Sequence, residues 1–272
     1  MPIHSEKLIS TLRSLLLILL WFSLPSSAQE RFQAAQFDWL GKQVFHNECR
    51  SKPACLTSWN IGEDFPSLGI GHFIWYRTGQ QEIFEETFPQ LLLFLRERQV
   101  KLPSWLQNSA DPDNPWPNRA TFNAVQQSKQ MRELRTFLLA TSSLQAEFIV
   151  SRFAQIQDEI VSSFKPTDRD KAQQIIQGLA TEQPPFGQYA LIDYLHFKGA
   201  GLNPEEQYRG MGWGLKQVVV EMLDKEISLN QFVDAGIKVL DRRISNAPIE
   251  RSEARWREGW HNRLTSYLPP TN

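Results

Sequence analysis

Residues 46–76 hold three carboxylates together with Ser67, His72 and the closely spaced Gly69 and Gly71 within one short stretch. Glu48 comes first. Glu63 and Asp64 follow, then Ser67-Leu68-Gly69-Ile70-Gly71-His72. Groups of these types suit the cleavage of a glycosidic bond. That reaction takes a proton donor at the leaving oxygen and negative charge against an oxocarbenium-like centre. A carboxyl donates near neutral pH only where its surroundings raise its pKa. Phe45, Trp59, Phe65 and Trp75 are the apolar neighbours expected to desolvate Glu48 and raise it. Glu63 or Asp64 is then the second carboxylate and Ser67 a polar orienter. The plainer reading is a solvated helix-end glutamate followed by two acids in an exposed turn.

Cys49 and Cys55 are the only cysteines. In an oxidising compartment they are expected to form a disulfide that pins the segment after Glu48; two free buried thiols are the alternative. With His46 and His72 they match no zinc spacing, so neither a metal nor a cofactor is expected. His72 reads as structural, fixing the strand on which it sits, and His46 as exposed on another face of its helix. Gly69 and Gly71 leave a strand face bare, so a ligand or a neighbouring backbone can come close. Trp59 is the nearest candidate sugar platform.

A second glycine-rich run, Tyr208-Arg209-Gly210-Met211-Gly212-Trp213-Gly214-Leu215-Lys216-Gln217, has similar promise. Its glycines admit a glycan, Trp213 offers a face for stacking, and Gln217 offers an amide to a hydroxyl or acetamido group. It lacks the strand-to-helix setting of a dinucleotide site. A tightly packed helix start explains it equally well. Near the C-terminus, Arg251, Arg255, Trp256, Arg257, Trp260 and Arg263 read chiefly as a core-facing Trp stripe with solvated arginines.

The elements that must position these groups are mostly helices. Phe37, Leu40, Val44 and Phe45 make one apolar stripe over 31–50, which places Glu48 near its end, before Pro53. Residues 56–76 read as a small antiparallel hairpin. Helical patterns follow over 82–99 (with Pro89 as a kink), 119–140, 144–164, 167–181, 186–197, 210–226, 229–244 and 250–267. Residues 101–118 hold four prolines and read as an irregular connection. The expected fold is mainly α, with one small β-hairpin near the N-terminus.

Composition bounds the rest. The chain has 272 residues, 41% of them hydrophobic, enough for one sizeable core. A formal charge of -1 argues against nucleic acid as a partner. Lys7 and Arg13, the apolar run 15–24 and Ser26-Ser27-Ala28 have the order of an export signal cut after Ala28. Residues 1–28 are therefore expected to be removed, 29–272 to form the mature domain, and the product to be periplasmic or secreted without a stable membrane anchor.

Glu48 followed by Ser67-Leu68-Gly69-Ile70-Gly71-His72 resembles the phage-type lysozymes of the lysozyme-like superfamily. In that family a catalytic Glu ends the first helix and a Thr-Ile-Gly-Ile-Gly-His hairpin follows. The resemblance covers about thirty residues. It implies a lysozyme-like helical domain over 29–272, peptidoglycan or a related β-1,4-glycan as substrate, and Glu48 as general acid. The family's second acid falls at Ile61 here, so Glu63 or Asp64 must replace it. The run ending in Gln217 resembles the glycine segment that lysozyme-like enzymes lay along the sugar cleft. Two further readings stay open: a lytic transglycosylase using Glu48 alone, and a non-catalytic glycan-binding or envelope-structural protein on the same fold.

Overall fold

The computed structural model describes residues 34–82, 84–107 and 112–270. The expected export segment 1–28 lies outside them. Helix α1, Ala34–Cys49, buries Leu40 and Val44 completely. It ends before Pro53 is reached, because Arg50 and Ser51 both turn into the left-handed region (φ 49° and 55°). A 3-10 turn, Pro53–Leu56, then leads into a sheet of three two-residue antiparallel strands. These are β1 (Thr57–Ser58), β2 (Ser67–Leu68) and β3 (Phe73–Ile74), with Ser67 opposite Ser58 on one side and Ile74 on the other. The hairpin expected near the N-terminus is present, widened by one strand.

The helices follow the apolar periodicity, with shifted ends. Helix α2, Phe88–Glu97, starts rather than kinks at Pro89, whose missing N–H is harmless in a first turn. The proline-rich connection contains the short α3, Ser104–Gln107. The pattern over 119–140 is two helices: α4, Arg119–Ala124, and α5, Lys129–Ala140. The break is chemical, since the Ser128 hydroxyl accepts the Met131 N–H at 3.1 Å and caps a new start. Next come α6 (Ser142–Ser162), α7 (Arg169–Thr181) and α8 (Phe186–Lys198). The stretch expected to open a helix at Gly210 instead forms a second hairpin, β4 (Gln207–Tyr208) and β5 (Met211–Gly212). Helix α9 begins only at Leu215 and runs Leu215–Glu221. Helix α10, Leu229–Asn246, two 3-10 turns and α11, Arg257–Thr265, follow.

The centre of the molecule is α8, in which every residue from Gly187 to Tyr194 is buried. It packs against α6, α7 and α9, while α1 lies along α6. Among the described residues no helix is long and apolar enough to cross a membrane. The architecture is mainly α, as expected, with two small antiparallel sheets.

Candidate functional site

Segments distant in sequence build one cleft of about 840 Å³. Glu48 contributes from the end of α1, Gly71 and His72 from the turn before β3, His196 and Lys198 from the end of α8, and Trp213 from the second glycine run. The sheet is held in place by Gln145 of α6. Its Oε1 accepts the Ile70 N–H at 2.9 Å, while its amide donates to Leu138 O and Thr141 Oγ1. Gly69 is required there, because a Cβ would stand 2.4 Å from that same Oε1. Its bare face serves a neighbouring side chain rather than a ligand. A Cβ on Gly71 would meet the Phe73 ring at 2.7 Å and His196 at 3.1 Å.

Glu48 is the centre of the charge arrangement. Arg263 Nη2 approaches its Oε1 to 2.7 Å, and His72 Nδ1 lies 3.6 Å from its Oε2. The Arg263 guanidinium also grips Asp193 of α8 with two bonds of 2.8 and 2.9 Å. Asp193 has no solvent exposure; the Tyr267 hydroxyl donates to it at 2.7 Å. Asn47, next to Glu48, donates to the Tyr189 hydroxyl at 2.7 Å and so fixes the end of α1 against α8. Burial by itself would raise the Glu48 carboxyl, but Arg263, His196 and His72 together outweigh it and hold the group down at about 2. The raised carboxyl expected from the sequence is therefore overturned: the cation that decides the matter comes from α11. Arg263, expected among solvated arginines, is only 10% exposed.

Cations and rings alternate along the cleft behind Glu48. Arg263 lies 4.1 Å from the Phe197 ring centre, and Lys198 Nζ is 3.9 Å from Phe197 and 3.6 Å from Trp260. Arg243 is 5.2 Å from Trp260 and 4.0 Å from Trp213. Burial, with Arg243 and Arg263 adding to it, pushes the Lys198 amine down to about 6. Burial likewise lowers His196. Arg243 is also clamped by the buried Glu253 at 2.8 and 3.0 Å, and the Tyr208 hydroxyl donates to Glu253 at 2.9 Å.

The other expected site residues are placed elsewhere. Asp64 is exposed and pairs with Arg77 at 2.7 Å, and the Glu63 carboxylate accepts from Asn60 at 3.1 Å. Neither lines the cleft with Glu48. Ser67 is buried within the sheet. Trp59 is a core residue whose indole N–H donates to Glu63 O at 2.8 Å and whose ring meets Phe122 edge-on. Gln217 ties two glycine turns together: its amide donates to Gly201 O at 3.1 Å and leaves no room for a Cβ at Gly201. Trp213 does line the cleft, with its ring between Tyr208 and Arg243. Cys49 and Cys55 are joined as a disulfide, and His72 Nε2 lies 3.2 Å from Cys55 Sγ. Both sulfurs are thereby engaged with each other rather than offered as a thiolate pair to a metal.

Asp193, His196, Lys198 and Glu206 were missed from sequence. One signal pointed to the first two: α8 reads FGQYALIDYLHFK, an apolar helix interrupted by an acid and a histidine. A charge in such a helix must find a partner. Comparison with protein-family models, curated proteins and solved structures returns no match.

Proposed function

We propose that this chain is an exported glycosidase that cleaves the β-1,4-glycan of peptidoglycan, with Glu48 as its essential carboxylate. One observation carries the reading. A largely buried carboxylate stands at the end of α1, in the wall of a large cleft, against the Gly-Ile-Gly-His turn. Held as an anion, Glu48 suits the stabilisation of an oxocarbenium-like centre, where a fixed negative charge in a water-poor site is worth most. Trp213 and Tyr208 give the cleft aromatic surface for sugar rings. The disulfide, together with the export pattern of residues 1–28, favours action in the periplasm or outside the cell. No cofactor enters the scheme.

The test is direct. Purified mature protein should clear a suspension of peptidoglycan, and the Glu48→Gln variant should lose turnover by about a hundredfold or more while staying folded. Reducing ends among the products indicate hydrolysis; anhydro sugars indicate the transglycosylase route. Full activity in Glu48→Gln would remove Glu48 from the chemistry. A second reading, a glycan-binding or envelope-structural protein, is favoured by the placement of Glu63 and Asp64 outside the cleft. Binding to peptidoglycan with no release of sugars would select it.

A further inference from the structure

We propose that Glu206 is the proton donor of this cleft, protonating the leaving glycosidic oxygen while the Glu48 carboxylate faces the sugar carbon that becomes positive. The inference rests on the glycosidase reading and completes it with a second acid.

Glycoside cleavage by two carboxylates requires one to be charged and the other protonated at the same pH. Glu48 fills the charged role, because the Arg263 guanidinium against it keeps it ionised. The remaining carboxylates of the cleft separate clearly. Glu85 is paired with Arg152 at 2.5 Å, and Glu159 and Glu205 are exposed. Glu206 is half-buried, and among the described residues its carboxylate has neither an ion pair nor a hydrogen bond. It lies beside the glycine that ends α8: a Cβ built on Gly199 would lie 3.3 Å from Glu206 Oε2. The carboxyl thus stands at the same end of α8 that presents His196 and Lys198 to the cleft.

The nearby cations explain why it is unpaired. Arg243 is committed to Glu253 by two short bonds, and Arg251 Nε also faces Glu253, at 3.8 Å. Burial pushes the Lys198 amine down to about 6, and it stands against two aromatic rings. Burial then raises the Glu206 carboxyl, with Arg243 opposing in part. The effect agrees with the geometry: a half-buried acid, without a counter-charge, on the wall of the cleft that holds an ionised partner.

The step balances. The Glu206 proton moves to the glycosidic oxygen as the bond from that oxygen to the anomeric carbon breaks, its electron pair staying with the oxygen. The anomeric carbon gains positive character against Glu48. A water molecule adds to that carbon and its proton returns to the Glu206 carboxylate. One glycosidic bond and one water are consumed, and two free sugar ends are formed.

The experiment compares wild type, Glu48→Gln and Glu206→Gln on peptidoglycan and on a dinitrophenyl β-glycoside of a short chitooligosaccharide. The dinitrophenolate leaves without needing a proton. Glu206→Gln should lose about 10²–10⁴-fold in kcat/KM on peptidoglycan yet keep kcat/KM on the aryl glycoside, which reports bond breaking before water enters, within about tenfold of wild type. Glu48→Gln should fall on both. Wild-type rates on peptidoglycan in Glu206→Gln overturn the inference, and so does an equal loss on both substrates, which marks a structural role. If Glu206→Gln does not reach the wild-type melting temperature, Glu206→Asp, which keeps an acid on a shorter arm, is read by the same two-substrate ratio. Wild type inactive on both substrates defeats the glycosidase reading itself; wild type active with Glu206→Gln unimpaired defeats only the role of Glu206.

Discussion

Arg263 Nη2 lies 2.7 Å from Glu48 Oε1, and the same guanidinium is paired with Asp193 through Nε and Nη2. One buried cation therefore serves two carboxylates, only one of which reaches the cleft. The two acids are not equivalent. Removing Asp193 leaves Arg263 and the Tyr267 hydroxyl without their fully buried partner. Asp193→Ala should cost about 3–5 kcal/mol in urea unfolding, the range for breaking a buried pair. Glu48→Gln keeps the Asp193 pair and should cost clearly less. Equal losses in the two variants would contradict this division of labour.

Acid should remove the contribution of Glu48 over a defined window. Its folded-state pKa, about 2, lies below the ordinary 4.5. For a carboxyl lowered by folding, the contribution is fully present above the unfolded value and is lost as pH falls through the folded one. The loss therefore runs from about pH 4.5 down to about pH 2, and its size is at most on the order of 3 kcal/mol. Melting curves of wild type and Glu48→Gln should differ most near neutrality and converge toward the low end of this window. A difference that is constant with pH would show that Glu48 is not held as an anion.

Gly214 is a point of backbone-on-backbone contact. A Cβ there would stand 2.1 Å from Gly201 N and 2.4 Å from Gly201 Cα. The same two segments are joined by Leu215 N–H to Gly199 O at 2.9 Å and Lys216 N–H to Ala200 O at 3.0 Å. Gly214→Ala should therefore destabilise by roughly 3 kcal/mol or more, since neither backbone can rotate away. Gly259 in α11 has open space around its Cβ position. Gly259→Ala should instead gain up to about 1 kcal/mol from helix propensity. Thermal unfolding of both variants checks the contrast in sign.

The disulfide closes a loop with a sequence separation of 6. Replacing both cysteines with alanine should cost only about 2 kcal/mol, because a short loop loses little unfolded-state entropy. The more telling effect should be local, at His72, whose ring lies against Cys55 Sγ and 3.6 Å from Glu48. The His72 ring resonances should shift while those of His261, paired with Asp241 of α10, stay in place. Unchanged His72 resonances would show that the disulfide does not position the ring.

Local chemistry made one wall of the cleft readable. The stripe of α1 placed Glu48 at a helix end, the glycine turn placed His72 beside it, and the cysteine spacing gave the disulfide. The opposite wall was not readable in the same way. Arg263 and Asp193 lie on separate helices, and nothing in the periodicity of either helix states that the two meet over Glu48. Trp59 and Ser67 were drawn toward the site by their nearness in sequence, whereas the three-stranded sheet turns them into the core. Asp64 follows its own ion pair with Arg77 away from the cleft. The second hairpin escaped notice because its strands are two residues each, too short for an alternating pattern.

Glu48 belongs to the first helix described here and Arg263 to the last, so their contact joins the two ends of the described helical order. Helices built from local contacts form early, while contacts between distant parts of a chain carry the larger closure cost and come late. Until α11 docks, Glu48 and Asp193 lack the guanidinium that both carboxylates contact. A chain that lacks Arg263 leaves the Glu48 and Asp193 carboxylates without the cation they share.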